Sequence, residues 1–568
     1  MFMNKYIDVA GIVGNPSFYG EEFRDYSDET MRKMRLYGFN TVFVNIAWSR
    51  PHIDAVVPEH IAVSKKFPLL SPQDAGSRFK LFKERTVAAK KSGMRTFALF
   101  GIPEYRDYSS LPPEYGVLKG AGVSPIDPSA SVTCISRPEV LDLYAELLTG
   151  IVTAVPELDG MLIYNVDELA DVCSEDSDCP FCAGTPLENR LPAFLNGLFT
   201  RVRSVKPDFE MWWEPWELSA SQVYGIMKDL DTHIGICCHS TINEVYFINE
   251  GDTWIRQTAR MAKDQERKFI VELFIGGSGE DIGIVAGYPC PRLVYRQLLV
   301  YGNIPGICSL KEYFGNAVPY FSVNEKVFAA CVNAPDFPRY EDLIIKIAGT
   351  YSEDGGAERL AEFWDLAGRA IEMIPWELSW VMRLSNYPSY FPGYWGRIPF
   401  CDLMRTPWKS PSWLSSRRSY YIISENTANY NHVLARDVNA RFALALEYID
   451  GALKLLPELK LKPGFEDEFA RQKEALSIIK CQLICRKNHL MLSESASFMR
   501  EGKEPPYDVA ATLENDRKNA EALRTILENS GTPYLRDYGF LRESQNIIDA
   551  CIKVYRESPG KWLTDYHF

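Results

Sequence analysis

The segment "GMLIYNVDE", Gly160 to Glu168, joins a short apolar run to two adjacent acids. Met161, Leu162, Ile163 and Tyr164 make a continuous apolar stretch of strand length. Strands of that kind belong to a parallel sheet covered on both faces. Seven other runs repeat the pattern, each followed by a helical pattern: Tyr6–Gly14, Asn40–Trp48, Met94–Glu104, Phe209–Trp216, Thr232–Ser240, Lys268–Gly277 and Ile304–Gly315. Eight strand-then-helix repeats predict an α/β fold, a (β/α)8 TIM barrel over residues 1–330. The helix before the Gly160 strand has its own start signal. In "SRPE", Ser136 and Glu139 read as a capping box, with Pro138 in the first turn.

Beyond residue 330 the strand signal fades. Leu360, Phe363, Trp364, Ala367, Ile371 and Ile374 fall on one helical face. A longer helix is predicted from Phe465 to about Met499, with Phe469, Leu476, Ile479 and Leu483 as its stripe, and two more near Ala510–Asn529 and Leu541–Arg556. Residues 331–568 therefore read as a mainly α-helical C-terminal domain. It is interrupted at 386–400 by "NYPSYFPGYWGRIPF", an aromatic-rich stretch with no helical pattern.

The whole chain has 568 residues, enough for two or three domains. Hydrophobic residues at 46% and charged residues at 24% are ordinary for a globular protein. The net charge is −13 with no Lys/Arg block, which argues against a nucleic-acid partner. No apolar run is long enough to span a membrane, and no signal peptide is expected from the residues before the first strand. The 13 Cys are odd in number and mostly in apolar surroundings. Reduced thiols in a cytoplasmic protein are the expectation.

Reactive groups of this barrel sit on the loops at the C-terminal ends of the strands. Those ends are rich in acids: Glu104; Asp167 and Glu168; Glu214 and Glu217; Glu280 and Asp281 after "GGSG"; Lys311, Glu312 and Tyr313. Trp212, Trp213 and Trp216 surround Glu214, and His239 ends the sixth strand. Acids flanked by Trp, with no phosphate loop, suggest glycoside hydrolysis. That reaction needs one protonated carboxyl for the leaving oxygen and a negative group to support the oxocarbenium-like transition state. Two neighbouring carboxylates raise each other's cost of ionisation, so one stays protonated. Asp167 and Glu168 are the expected catalytic pair. Adjacent strand residues face opposite ways, so both reach one ligand only if the strand ends or bulges between them. The alternative is a helix-capping Asp167 and an ion-paired Glu168.

A barrel strand ending in Asp-Glu resembles the hexosaminidases of glycoside hydrolase families 20 and 123. "CPRLVY" and "EYFGN" resemble a broader group of barrel glycosidases, some similar to α-glucuronidases. The resemblance implies an exo-acting β-N-acetylhexosaminidase for GalNAc or GlcNAc. The substrate's own acetamido oxygen would attack, oriented by Asp167, with Glu168 as acid/base. Trp212, Trp213 or Trp216 would wall the acetamido pocket. The chain departs from family 20 in reading "YNVDE" where that family has a longer His-x-Gly-Gly-Asp-Glu motif, so a related family fits better. The competing readings are a glycosidase of another specificity with a protein nucleophile, and a sugar-binding barrel without catalysis. Glu280 or Asp281 is the expected nucleophile in the first of these, since Glu272 reads as too early along its strand.

Substrate contacts are expected from Trp212, Trp213, Glu214, Trp216, His239, Glu280, Asp281 and Tyr313. Tyr394 and Trp395 would add to them, from the same chain or from a partner copy in a homo-oligomer. No cofactor is expected. Cys173, Cys179 and Cys182 in "CSEDSDCPFC" have spacings seen in zinc sites, which normally take four ligands. A structural zinc needs a fourth from Cys134, Cys237, Cys238 or His239; the alternative is a loop of reduced thiols.

Overall fold

The computed structural model describes residues 6–13, 25–45, 56–123, 129–166, 169–216, 218–239, 253–275, 288–312, 322–374, 428–531 and 541–565. Eight parallel strands close into a barrel: β1 (Asp8–Ile12), β2 (Thr41–Phe43), β3 (Arg95–Gly101), β6 (Gly160–Tyr164), β7 (Glu210–Glu214), β8 (Ile234–Cys238), β9 (Phe269–Leu273) and β10 (Ile307–Glu312). The expected strands all form, and each observed strand is shorter than the run that announced it. Between β3 and β6 lies a feature the apolar pattern did not show, an antiparallel pair of β4 (Lys119–Val123) and β5 (Ser131–Thr133). The helix Pro138–Ala154 starts as expected, but Arg137 is its N-cap and no side chain caps it. Ser136 instead lies 3.4 Å from the Cys182 thiol.

Inside a closed barrel, side chains from alternate strands stack in layers. The floor layer comes from β1, β3, β7 and the residue just before β9, and is wholly charged. Arg95 contacts Asp8 and lies 2.6 Å from Glu210; Lys268 lies 2.8 Å from Asp8 and 2.7 Å from Glu210. Two cations and two carboxylates form a closed ring. Above it lie small residues of the even strands, among them Thr41, Gly160 and Ser309. A Cβ on Gly160 would sit 2.5 Å from the Phe97 ring. The small layer thus makes room for the next one, where Phe97 and Trp212 pack with centroids 4.3 Å apart.

Burial raises the Glu210 carboxyl, but Lys268 and Arg95 outweigh it and hold the group below its ordinary value. Its stabilisation is present above the unfolded value of about 4.3 and is lost as pH falls through the lower folded value. Glu210→Gln is expected to cost about 1 kcal/mol near neutrality, at the lower end for an ion pair a third exposed. The difference from wild type in urea midpoints should shrink as the pH is lowered.

After β10 every regular element among the described residues is helical. Leu360, Phe363, Trp364, Ala367 and Ile371 are buried on the helix Ala357–Glu372, and Phe469, Leu476, Ile479 and Leu483 on the helix Glu466–Arg500. The helix Ala428–Leu455 packs between them. This region joins the barrel through the segment after β9: the Tyr288 hydroxyl donates to Ala367 O (2.9 Å) and Arg292 pairs with Asp365 (3.0 Å). No described helix is long and apolar enough to cross a membrane.

Candidate active site

Strand parity decides which strand-end residues reach the barrel interior. On β7, Trp212 faces the inner core and Trp213 the outer one. Glu214 shares the parity of Trp212 and faces inward. By the same rule Glu272 follows Ile270, His239 follows Cys237, and Lys311 faces in with Ser309. Four ionisable side chains therefore converge at the C-terminal end of the barrel. His239 Nε2 lies 2.5 Å from Glu214 Oε1 and 3.4 Å from Glu272 Oε2, and Lys311 Nζ contacts Glu272 Oε1. The Trp216 ring stacks on His239 with centroids 4.1 Å apart.

Burial divides these groups by role. Glu272 and Lys311 are 0% and 1% exposed, whereas Glu214 and Trp216 each keep 8% and His239 5%. Burial raises the Glu214 carboxyl, but Lys311 and His239 bring it below the ordinary value, so it stays ionised. For Glu272 burial wins over His239 and Lys311, and its carboxyl is raised. Burial lowers the Lys311 amine, yet Glu272 and Glu214 together hold it above its usual value. Glu214, Glu272 and His239 offer atoms close enough for one cation, but the Lys311 ammonium already supplies positive charge there. The set is best read as an ion-paired floor under the barrel mouth, with ionised Glu214 and the His239–Trp216 stack at its edge.

Several expected site residues stand elsewhere. Trp212 and Trp213 are 0% exposed and cannot wall a sugar pocket. Trp212 fills the barrel interior with Phe97, and Trp213 packs outward, donating from Nε1 to Asn165 Oδ1 (2.9 Å). Glu214, Trp216 and His239 do come together. Asp167, Glu168, Glu280, Asp281, Tyr313, Tyr394 and Trp395 lie outside the described residues. β6 ends at Tyr164, before the acid pair. The flanking chain is fixed at this end of the barrel: Ala170 pairs with Glu104, and Leu169 O accepts from Tyr105 N (2.9 Å). Glu104 contacts Arg106. Near by, the buried Glu59 accepts from the Tyr144 hydroxyl (2.6 Å).

Glu272 and Lys311 are the members of the cluster that the strand-end rule underrated. Glu272 is not too early along its strand; it is the penultimate residue of β9 and faces the site. A charge inside an otherwise apolar strand, at the parity of the inner layers, is the signal that finds both.

No protein-family model and no curated protein matches the chain. Among solved structures, the chain is similar to a GH138 enzyme targeting pectin rhamnogalacturonan II. The two are 11% identical with a TM-score of 0.64, over 99% of this chain and 68% of that one. It is also similar to a mutant O-GlcNAc hydrolase of Thermobaculum terrenum, at 12% identity and a TM-score of 0.43, over 98% of each chain. A third is CpGH84B, at 12% identity and a TM-score of 0.41, over 94% of this chain and 77% of that one. At scores of 0.43 and 0.41 neither of these bears on the chain. With the GH138 enzyme the chain shares a fold, a closed barrel followed by helices.

Proposed function

We propose that the protein is an exo-acting glycoside hydrolase that removes a terminal N-acetylhexosamine, GalNAc or GlcNAc, with retention of configuration. In this reading Glu168 protonates the leaving oxygen. Asp167 orients the substrate's acetamido group, whose oxygen attacks the anomeric carbon. Glu214 and His239 hold sugar hydroxyls, and Trp216, 8% exposed, offers an apolar contact beside them.

The observation that carries the reading is the convergence of ionised Glu214, His239 and Trp216 at the barrel mouth, one strand from β6 and its Asp-Glu sequence. The state of Glu272 supports substrate assistance. A protein nucleophile must reach the anomeric carbon, and Glu272 has no exposed surface and is engaged by Lys311. A second reading makes Glu214 the nucleophile, since it is ionised and keeps some surface. The resemblance of "CPRLVY" and "EYFGN" to α-glucuronidase-like barrels then adds uronic acid glycosides to the substrates worth testing.

The test is hydrolysis of nitrophenyl β-GlcNAc and β-GalNAc followed by NMR. Retention of configuration and inhibition by a thiazoline analogue are expected. Turnover confined to a glucuronide or galacturonide, with covalent labelling of Glu214 by a fluorosugar, would establish the second reading instead.

A further inference from the structure

Outside the barrel mouth, four cysteines meet at a point. Cys134 follows β5; Cys173, Cys179 and Cys182 lie in the segment after β6. All four are buried, at 0%, 1%, 0% and 0% exposure, and none is in a disulfide. One sulfur from each lies within 4.8 Å of all the others, with Cys134 Sγ 3.6 Å from Cys179 Sγ and 3.4 Å from Cys182 Sγ. Four thiolates around zinc at about 2.3 Å would stand about 3.8 Å apart at the corners of a tetrahedron. The observed spacing has that scale. The remaining candidates for a fourth ligand are accounted for elsewhere: Cys237 lies in the barrel interior, 3.8 Å from Glu272, Cys238 faces the outer core, and His239 pairs with Glu214.

We propose that Cys134, Cys173, Cys179 and Cys182 form a structural zinc site that clamps the loop after β3 to the loop after β6. The surroundings are built for it. Cys182 N and Ala183 N both donate to Cys179 O, at 3.0 and 2.8 Å, closing a tight turn over "CPFC". A Cβ on Gly120 of β4 would lie 2.2 Å from Cys173 Sγ, so only glycine lets that strand pass the thiol. Arg190, from the helix Leu187–Val205, donates to Cys173 O (2.9 Å) and Thr185 O (2.8 Å). It brings positive charge toward a centre that carries two net negative charges when four thiolates bind a divalent ion.

The energetic need is also plain. Apart from the cysteines, the local apolar cluster holds only Val132, with Ala121 packed against it. So small a cluster does not order a long irregular loop without a staple. Closed four-sulfur coordination leaves no open position for a substrate or water, which makes the role structural. Cys173 stands five residues beyond Glu168 in the chain. The clamp therefore fixes the far end of the segment that holds the acid pair, and it stands whether or not the glycosidase reading does.

The test is metal analysis of the full-length protein purified without chelator. Mass spectrometry of the metals is expected to find a single zinc per chain, released as an organomercurial titrates the four thiols. Replacement by Co(II) should give the intense visible bands of tetrahedral four-sulfur coordination. Cys182→Ser should reduce bound zinc to near zero, while Cys331→Ser, at a buried thiol outside the cluster, should keep it. If Cys182→Ser fails to fold, the wild-type measurement decides alone. No stoichiometric zinc, iron in its place, or a disulfide within the cluster would each overturn the assignment.

Discussion

Glu168→Gln is expected to lower kcat/KM for an alkyl N-acetylhexosaminide by about 10²–10⁴-fold, the usual contribution of a positioned general acid. An amide has no proton to give the departing oxygen. The loss should depend on the leaving group: a dinitrophenyl glycoside departs without protonation and should be cleaved at nearly the wild-type rate. Asp167→Asn should instead impair both substrates and weaken binding of the thiazoline analogue, because the proposed mechanism gives Asp167 the acetamido group as its partner. An equal loss on both glycosides in Glu168→Gln would remove Glu168 from the acid role.

The second large effect concerns stability. Lys311→Met is expected to destabilise the fold by about 3–5 kcal/mol at neutral pH, the cost of breaking a buried ion pair from one side. Glu272 and Glu214 would then be buried without the Lys311 ammonium that faces both. In the variant these carboxyls would titrate above their unfolded values. The stability they contribute is then present below the unfolded value and lost as pH rises through the folded one. The gap from wild type should therefore be small in acid and widen toward neutrality. Adding Glu272→Gln should recover part of the loss, because the double variant leaves one charge fewer in the interior. Urea midpoints of the two variants at several pH values measure both effects. Additive losses would show that Lys311 and Glu272 are not coupled.

The eight barrel strands were legible because parallel strands covered on both faces read as near-continuous apolar runs. The helical stripes at Leu360–Ile374 and Phe469–Leu483 were legible for the same kind of reason, a steady period. The β4–β5 pair was not: "KGAGV" has no apolar run, and what holds it is its partner strand and the cysteine cluster. The helix Ala428–Leu455 was not predicted, although Val438, Phe442, Ala445, Ile449 and Ala452 are buried at helical spacing along it. At the site, position at a strand end found Glu214, His239 and Trp216. It misplaced Trp212 and Trp213, because a residue one step short of the rim belongs to the interior or the outer core. The fourth cysteine could not be chosen from spacing, because Cys134 lies 39 residues before Cys173 and only the fold brings them together.

The layered interior has a consequence for how such a protein can change over generations. Its lowest tier is a self-neutralising set of four charges, and the tier above is kept narrow so that two large rings can lie over it. Neither tier touches what enters from above. Substitutions around Glu214, His239 and Trp216, which keep some surface at the other end, can therefore be sampled while the foundation stays unaltered. Heritable novelty is free to accumulate at one end of the cylinder only.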